Sequence, residues 1–376
     1  MHIDTRAVQA LRDNEHGAVV PPLHLASTFE LDPATSDGDF AYQRGGNPTR
    51  AKLEQALATI EGADHAFAFA TGMAAIGAAF SLLREGQEVI LSASVYGGTY
   101  RFVDQIFPSR GLTGRFVDHL DELSEEEIAG AALVFVETPA NPTLRITDLR
   151  RIIELAHRND VLVVVDNTFM TPVLQRPLEL GADLVVQSAT KYLAGHSDLL
   201  AGVVTTNDDA IAEQLSLAQK ALGGVLSPFD SFRLIQDLKT LPLRLGRQQA
   251  NAIAVAEHLR GHDAIARVLT PGSSSAHEAD VHAAQAAGPG AVLSFELADG
   301  VDRVEFLRAL RIPQFAVSLG GVETLICHPA TMTHEAMSPE ARANAGISDQ
   351  LLRFAVGVEH IDDLIADLDQ ALAAAR

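Results

Sequence analysis

Cysteine occurs once in this 376-residue chain, at Cys327, and lysine four times, at Lys52, Lys191, Lys220 and Lys239. A single cysteine excludes an intrachain disulfide and fits a reducing cytoplasm. Positive charge is also scarce: 28 Lys+Arg stand against 49 Asp+Glu, for a formal net charge of −21. That balance argues against general affinity for nucleic acid or anionic membranes. No uninterrupted apolar run reaches the roughly 18 residues of a membrane span. Met1-His2-Ile3-Asp4-Thr5-Arg6 has neither the basic start nor the apolar segment of a secretory signal, so a cytoplasmic protein is expected. What the chain does have is apolar content, 47% of its residues, enough for large cores. Its length suggests about two to three domain-sized units.

Residues 1–48 read as irregular, with turns marked by Pro21-Pro22, Asp32-Pro33, Asp37-Gly38 and Gly45-Gly46-Asn47-Pro48. Such an arm builds no core of its own and is expected to lie on another surface. Thr49 then caps a helical pattern over 50–60 that stops at Gly62. Apolar strand candidates follow at 65–69, 88–91, 133–137, 161–165, 184–187 and 202–205. Helical patterns at 73–84, 147–159 and 208–217 lie between several of them. This alternation predicts an α/β domain with a mostly parallel sheet covered on both faces, whose ligands bind beyond the carboxyl ends of the strands. A long helical stretch over 229–259, bent near Pro242, comes next. Further expected elements are a strand at 291–297, a helix at 301–310, strands at 315–318 and around 352–358, and a last helix from Ile361. The expected division is an arm at 1–48, an α/β domain at 49–240 and a smaller α+β domain at 241–376. Ser273-Ser274-Ser275 is expected to be an exposed or mobile loop.

Lys191 is set apart from the other three lysines, which sit in helical patterns. It follows the apolar run ending at Val186 through Gln187-Ser188-Ala189-Thr190. Asp166 stands in the same way just after Val161-Leu162-Val163-Val164-Val165. A lysine and an acid at neighbouring strand ends suit a site where the amine binds an aldehyde cofactor and the acid faces its ring nitrogen. The plainer alternatives are a surface lysine and an Asp that caps the next turn. A desolvated lysine has a depressed pKa and becomes a nucleophile and then a base. Thr71-Gly72-Met73 joins a strand to a helix, where free backbone amides could bind an anion with help from Ser188 and Thr190. Tyr96, ahead of Gly97-Gly98, is either a turn anchor or a ring that stacks on an aromatic cofactor. No Gly-x-x-x-x-Gly-Lys-Ser/Thr loop and no Gly-x-Gly-x-x-Gly follows the first strands, so the mononucleotide folds are not supported. Cys327, His328 and His334 lack metal-like spacing on one element, and no metal is expected. Cys327 reads as a small buried residue, and His196 and Asp198 as residues ordering the loop after Lys191.

Nine segments occur in order: Tyr42 to Arg50, Thr71 to Ala75, Tyr96 to Thr99, Glu137 to Pro142, Asp166 to Phe169, Ser188 to Tyr192, Gly195 to Asp198, Ser318 to Glu323, and Met332 to His334. Together they resemble the pyridoxal-phosphate-dependent trans-sulfuration enzymes of cysteine and methionine metabolism. The resemblance covers nearly the whole chain, and the combination is far more specific than any one piece. It implies an aspartate-aminotransferase-like α/β fold (fold type I) and a homotetramer built as a dimer of dimers. It implies pyridoxal 5'-phosphate held covalently by Lys191, with Asp166 on the ring nitrogen and Tyr96 stacked on the ring. Gly72, Met73, Ser188 and Thr190 would hold the phosphate, joined by Tyr42 and Arg44 from a neighbouring subunit. Arg353, with Ser318 and Asn141, would clamp the carboxylate of a small sulfur amino acid.

Members of that family share removal of a Cα proton and then diverge. Val317 stands where cystathionine γ-synthases and γ-lyases typically carry Glu, and Gly98 where methionine γ-lyases commonly carry Cys. The region from Phe315 to His334 is similar to Gram-positive-type cystathionine β-lyases. The expected activity is therefore a carbon–sulfur lyase acting on cystathionine, β-elimination over γ, with cysteine desulfhydration as a side activity. The alternatives are a cystathionine γ-synthase, a methionine γ-lyase, or a non-catalytic protein that binds the cofactor.

Overall fold

A computed structural model describes residues 1–10, 15–335 and 337–376, without the side chain of Glu15. Seven strands form the larger sheet: β1 (His65–Phe69), β2 (Glu88–Ser92), β3 (Thr113–Val117), β4 (Leu133–Glu137), β5 (Leu162–Asp166), β6 (Leu184–Gln187) and β7 (Gly202–Thr206). Their order is β1-β7-β6-β5-β4-β2-β3. Among the described strands, β7 alone runs against the direction of the rest, so the sheet is mostly parallel, as the alternation predicts.

The sequence of these strands explains why the sheet is covered on both faces. Leu133, Phe135, Val164, Leu184 and Val186 pack into one core with Phe80 and Phe107. Their alternates Val134, Val136, Val163 and Val165 pack into another with Ile152 and Ile153. A period of two sends successive side chains to opposite faces, so a strand buried on both faces reads as a continuous apolar run. Each run turns polar at its carboxyl end: Glu137, Asp166 and Gln187 close β4, β5 and β6. The strand order reverses between β4 and β2, and at such a switch point two loops part and leave room for a ligand.

Five strands form the smaller sheet: β8 (Ile265–Leu269), β9 (Val292–Leu297), β10 (Gln314–Phe315), β11 (Leu325–Cys327) and β12 (Leu351–Ala355), in the order β10-β11-β12-β9-β8. Phe295, Phe306 and Phe354 are fully buried in its core, packed on the last helix, Ile361–Ala374.

Several expected elements differ. A short helix, Ile3–Gln9, lies within the arm and buries Ala7. The expected helix at 73–84 is Gly72–Phe80, closed by backbone bonds from Ser81. The expected bent helix at 229–259 is two helices, Pro228–Leu238 and Leu241–Arg260. Pro242 lies in the first turn of the second, where its missing N–H costs nothing, so it marks a start and not a kink. The expected strand at 315–318 stops at Phe315: Val317 is exposed and Ser318 has φ +86°, incompatible with a ladder. Strands β3, β8 and β11 and the helix Ala276–Gln285 were not expected. Ser275 is the N-cap of that helix, and Ser273 and Ser274 are exposed. Among the described residues, no helix is long and apolar enough to cross a membrane.

Candidate active site

A cavity of about 330 Å³ opens beyond the carboxyl ends of β2, β4, β5 and β6. It collects Gly72, Met73, Tyr96, Asn141, Asp166, Ser188, Thr190, Lys191, Ser318 and Arg353 from distant parts of the chain. Tyr42 and Arg44, the remaining two expected residues, do not line it. Tyr42 is exposed, the Arg44 guanidinium lies 5.6 Å from its ring centroid, and Arg44 also donates to the Lys220 carbonyl.

At one end lies the start of the helix Gly72–Phe80. Thr71 Oγ1 accepts the Ala74 amide at 2.9 Å, and helix geometry leaves the Gly72 and Met73 amides without an intrahelical acceptor. Ser188 faces them closely: a Cβ built on Gly72 would lie 2.9 Å from the Ser188 Cβ. Glycine is therefore what lets the helix start approach the β6 turn. The Thr190 hydroxyl is already bonded to both backbone groups of Ala201, at 3.2 Å and 2.9 Å. The expected role of donating to an anion would require it to leave the Ala201 carbonyl.

Lys191 is half-buried at the end of the same turn, and its Nζ donates to Ser318 Oγ at 2.8 Å. Burial, and then the charge of Arg353, lower its ammonium to about 8. A substantial share of the amine is thus neutral near physiological pH, which an exposed lysine cannot match.

Asp166 is buried at the end of β5. Its Oδ1 accepts from the Thr168 amide at 3.0 Å and the Thr168 hydroxyl at 2.5 Å. Burial raises its carboxyl above the usual range, and the Thr168 bonds pull it back. Asp166 thus makes the local turn contact of the plainer alternative and lines the cavity as well. Tyr96 leads into the helix Gly97–Gln105, and a Cβ on Gly98 would strike its ring at 2.4 Å.

The opposite wall comes from the smaller sheet. Arg353, in β12, is 3% exposed. It donates to Asn141 Oδ1 at 3.1 Å and to the Ser318 carbonyl at 2.6 Å, while its buried Nε has no partner. That unused donor suits an arriving carboxylate. Behind it, burial and Arg353 push His334 down to about 4, so the ring is neutral, with Nδ1 2.8 Å from Thr333 Oγ1. His328 bonds to Thr331 and to the Asp349 carbonyl, and Cys327 is buried. His196 and Asp198 tie the loop after Lys191 to Asp237 and Arg233 of the helix Pro228–Leu238.

Glu137, Arg101, Met332 and Thr333 also line the cavity, though sequence reasoning gave them no role. A usable signal existed for Glu137, because it ends an apolar strand just as Asp166 does. Burial and then Asp166 push its carboxyl up to about 8. Arg101 carried no such signal: it is one arginine among many.

An amine of lowered pKa, a buried acid, an aromatic ring and free helix-start amides in one cavity suit a phosphorylated aldehyde cofactor. The donor set fits pyridoxal phosphate: two amides and a serine hydroxyl for its phosphate, an amine for its aldehyde and a carboxyl for its ring nitrogen. The family model described as Cys/Met metabolism PLP-dependent enzyme matches residues 4–373, and the chain belongs to that family. It is 44% identical over 362 residues to cystathionine beta-lyase MetC of Bacillus subtilis, covering 96% of this chain and 93% of that one. It is 42% identical to the cystathionine gamma-synthase/O-acetylhomoserine (thiol)-lyase of the same organism, covering 99% and 96%. The crystal structure of a cystathionine gamma-lyase from Lactobacillus plantarum, complexed with L-serine, is similar with a TM-score of 0.95 at 38% identity, covering 100% and 99%. The fold is thus the aspartate-aminotransferase-like fold of pyridoxal-phosphate enzymes.

Proposed function

We propose that the chain is a pyridoxal-phosphate-dependent carbon–sulfur lyase that cleaves cystathionine by β-elimination, giving homocysteine, pyruvate and ammonia. The observation that carries this reading is Lys191, an amine lowered to about 8 in one cavity with Asp166 and Arg353. When bound, pyridoxal phosphate supplies an electron sink that eases loss of an amino acid's Cα proton.

The Gly72 and Met73 amides and the Ser188 hydroxyl would hold the phosphate, with Thr190 beside them. Asp166 would keep a proton on the ring nitrogen, because an anion next to a cation stabilises the charged pair. Tyr96 would pack on the ring. Lys191 would hold the aldehyde of the cofactor, and its Nζ is the base placed to take the Cα proton of the substrate. Arg353, with Asn141 and Ser318 behind it, grips the α-carboxylate. Cystathionine carries a second amino-acid end, and Arg101 at the cavity wall is the cation available to its carboxylate. Loss of the Cα proton leaves an electron pair that forms a Cα–Cβ double bond as the Cβ–S bond breaks. The sulfur leaves with the bonding pair and takes up a proton, and water releases pyruvate and ammonia from the remaining fragment.

Val317 favours β over γ chemistry. It is 55% exposed at the cavity wall and offers no carboxylate to a distal ammonium or to water. γ-Elimination also needs a second proton removed at Cβ. The relatives include both lyases and a synthase, so product identity decides the matter. Incubated with cystathionine alone, the enzyme should release pyruvate. Release of 2-oxobutyrate would make it a γ-lyase. No keto acid, with cystathionine formed from cysteine and an activated homoserine, would make it a γ-synthase. Methanethiol from methionine would make it a methionine γ-lyase. A yellow protein inert towards all of these would be a non-catalytic binder.

The arm supports assembly in trans. Tyr42 and Arg44 lie outside their own cavity, available to the phosphate site of a neighbouring subunit. The proposed assembly is a homotetramer built as a dimer of dimers, with the arm at 1–48, the cofactor domain at 49–240 and the smaller domain at 241–376. Light scattering would give the subunit count. A cytoplasmic location rests on the single cysteine, since no disulfide can form within the chain.

A further inference from the structure

Glu137 is a buried carboxyl with no basic partner within ion-pair distance among the described residues. It closes β4 directly beside Asp166 at the end of β5, in parallel register. An acid placed there without a cation is costly unless its oxygens are used. Both are used, and both on backbone. Oε2 accepts the Tyr96 amide at 2.8 Å, and Oε1 accepts the Asn141 amide at 3.2 Å.

Those two amides belong to the two segments that frame the cavity. Tyr96 is the N-cap of its helix: its carbonyl accepts the Tyr100 amide at 3.0 Å, and the Glu137 bond holds its N–H at the helix entrance. Asn141 Oδ1 accepts from Arg353, Arg353 donates to the Ser318 carbonyl, and Ser318 Oγ accepts from Lys191. A continuous chain of contacts therefore runs from Glu137 across the cavity to the reactive amine.

We infer that Glu137 is a positioning residue, one carboxyl that sets the Tyr96 ring and the Asn141–Arg353 clamp at a fixed separation across the cavity. The inference rests on the proposed reading of this site as a pyridoxal-phosphate site. A second amide group cannot replace the carboxyl. Glutamine has one acceptor oxygen, and its NH2 would face a backbone N–H. Aspartate keeps both oxygens but is one methylene too short to reach both segments.

The test uses the holoenzymes of wild type, Glu137→Gln, Glu137→Asp and Glu54→Gln. Glu54 is the control, because its carboxylate also accepts a backbone amide, that of Ala68 at 2.8 Å, but lies outside the cavity. Visible-band circular dichroism reads the setting of the bound ring, and titration with pyridoxal phosphate reads its affinity. For both Glu137 variants, the dichroic band should fall by at least about half and the Kd for pyridoxal phosphate should rise about tenfold, as for loss of one hydrogen bond. KM for cystathionine should rise several-fold through Arg353. Glu54→Gln should lower Tm and leave the band and Kd within twofold of wild type. Should either Glu137 variant lose only thermal stability, with band, Kd and KM unchanged, the carboxyl is structural and the inference falls while the site reading stands. A wild-type chain that takes up no pyridoxal phosphate would overturn the site reading and the inference with it.

Discussion

The two walls of the cavity are built differently. The wall from the larger sheet stands on the ends of β4, β5 and β6, whose residues are buried on both faces. Asp166, Glu137 and the Ser188 turn are held there by strand pairing and short bonds. The wall from the smaller sheet stands largely on irregular backbone. Ser318 sits at φ +86°, a region that costs a non-glycine residue about 1–3 kcal/mol, and Val317 beside it is exposed. Among the described residues lining that side, only Arg353 comes from a strand interior. The difference suggests a division of labour. The rigid wall serves the step common to the family, and the looser wall serves the choice of bond broken next.

The largest effect expected of that comparison is on the rigid wall. Lys191→Ala should cost at least ~10³-fold in kcat, as removal of a positioned base does. It should also abolish the adduct that borohydride fixes in the wild type. A fixed adduct elsewhere in the variant would refute the assignment of the amine. Next comes the strand-borne residue of the looser wall. Arg353→Ala removes two bonds and leaves Asn141 Oδ1 unfilled, so kcat/KM should fall by about 10²-fold, mainly in KM. An equal fall in kcat with KM unchanged would place Arg353 in the chemistry instead of in binding.

The same contrast explains what could be read in the sequence. Leu133 to Glu137 and Leu162 to Asp166 read as strands because two covered faces demand unbroken apolar runs. The acid and the lysine were conspicuous as the points where those runs stop. The smaller sheet offers no such contrast. β11 is three residues long, and β8 and β3 are edge strands whose burial is incomplete. Phe315 to Ser318 carried strand-like residues, yet the chain turns at Ser318, which its own sequence does not announce. Arg353 was legible only through resemblance, since its role depends on Asn141 being brought to it from 212 residues away. Glu137 shows the converse: its strand-end position was visible, but the direction of its two oxygens is a property of the folded chain.

A smaller effect, in pH, probes the rigid wall without mutating Lys191. Lys191 falls to about 8 in the cofactor-free chain, so the neutral amine accumulates well below the ordinary lysine value near 10.4. Uptake of pyridoxal phosphate should accelerate about tenfold per pH unit well below 8 and level off above it. A rate still climbing at pH 10 would return Lys191 to an ordinary solvated amine. Stability should respond with opposite signs for Lys191 and for two buried acids, Glu137 and Glu61, the latter at the end of the helix Pro48–Glu61 and accepting from Gln187. Glu137 and Glu61, both raised to about 8, bind more protons folded than unfolded between about 4.5 and 8, so they lower stability as pH rises across that window. Lys191, depressed when folded, adds stability as pH rises from about 8 towards its unfolded value. Tm of the cofactor-free protein against pH, with Glu61→Gln flattening the falling limb, checks both signs.

The smallest expected effect falls where the looser wall is loosest. Val317→Glu places a carboxylate at an exposed position, so it should cost little stability, within about 0.5 kcal/mol. Its effect should be on partition. A carboxylate there can hold the distal ammonium of cystathionine or a water, shifting which end of the substrate lies over Lys191. The ratio of 2-oxobutyrate to pyruvate should rise a few-fold while the Cα proton is exchanged for solvent deuterium at nearly the wild-type rate. A change in the exchange rate as large as the change in ratio would mean that Val317 reaches the shared step, and that the two walls do not divide the work. An unchanged ratio with unchanged exchange would move the choice of bond away from the loop and back to the strand ends.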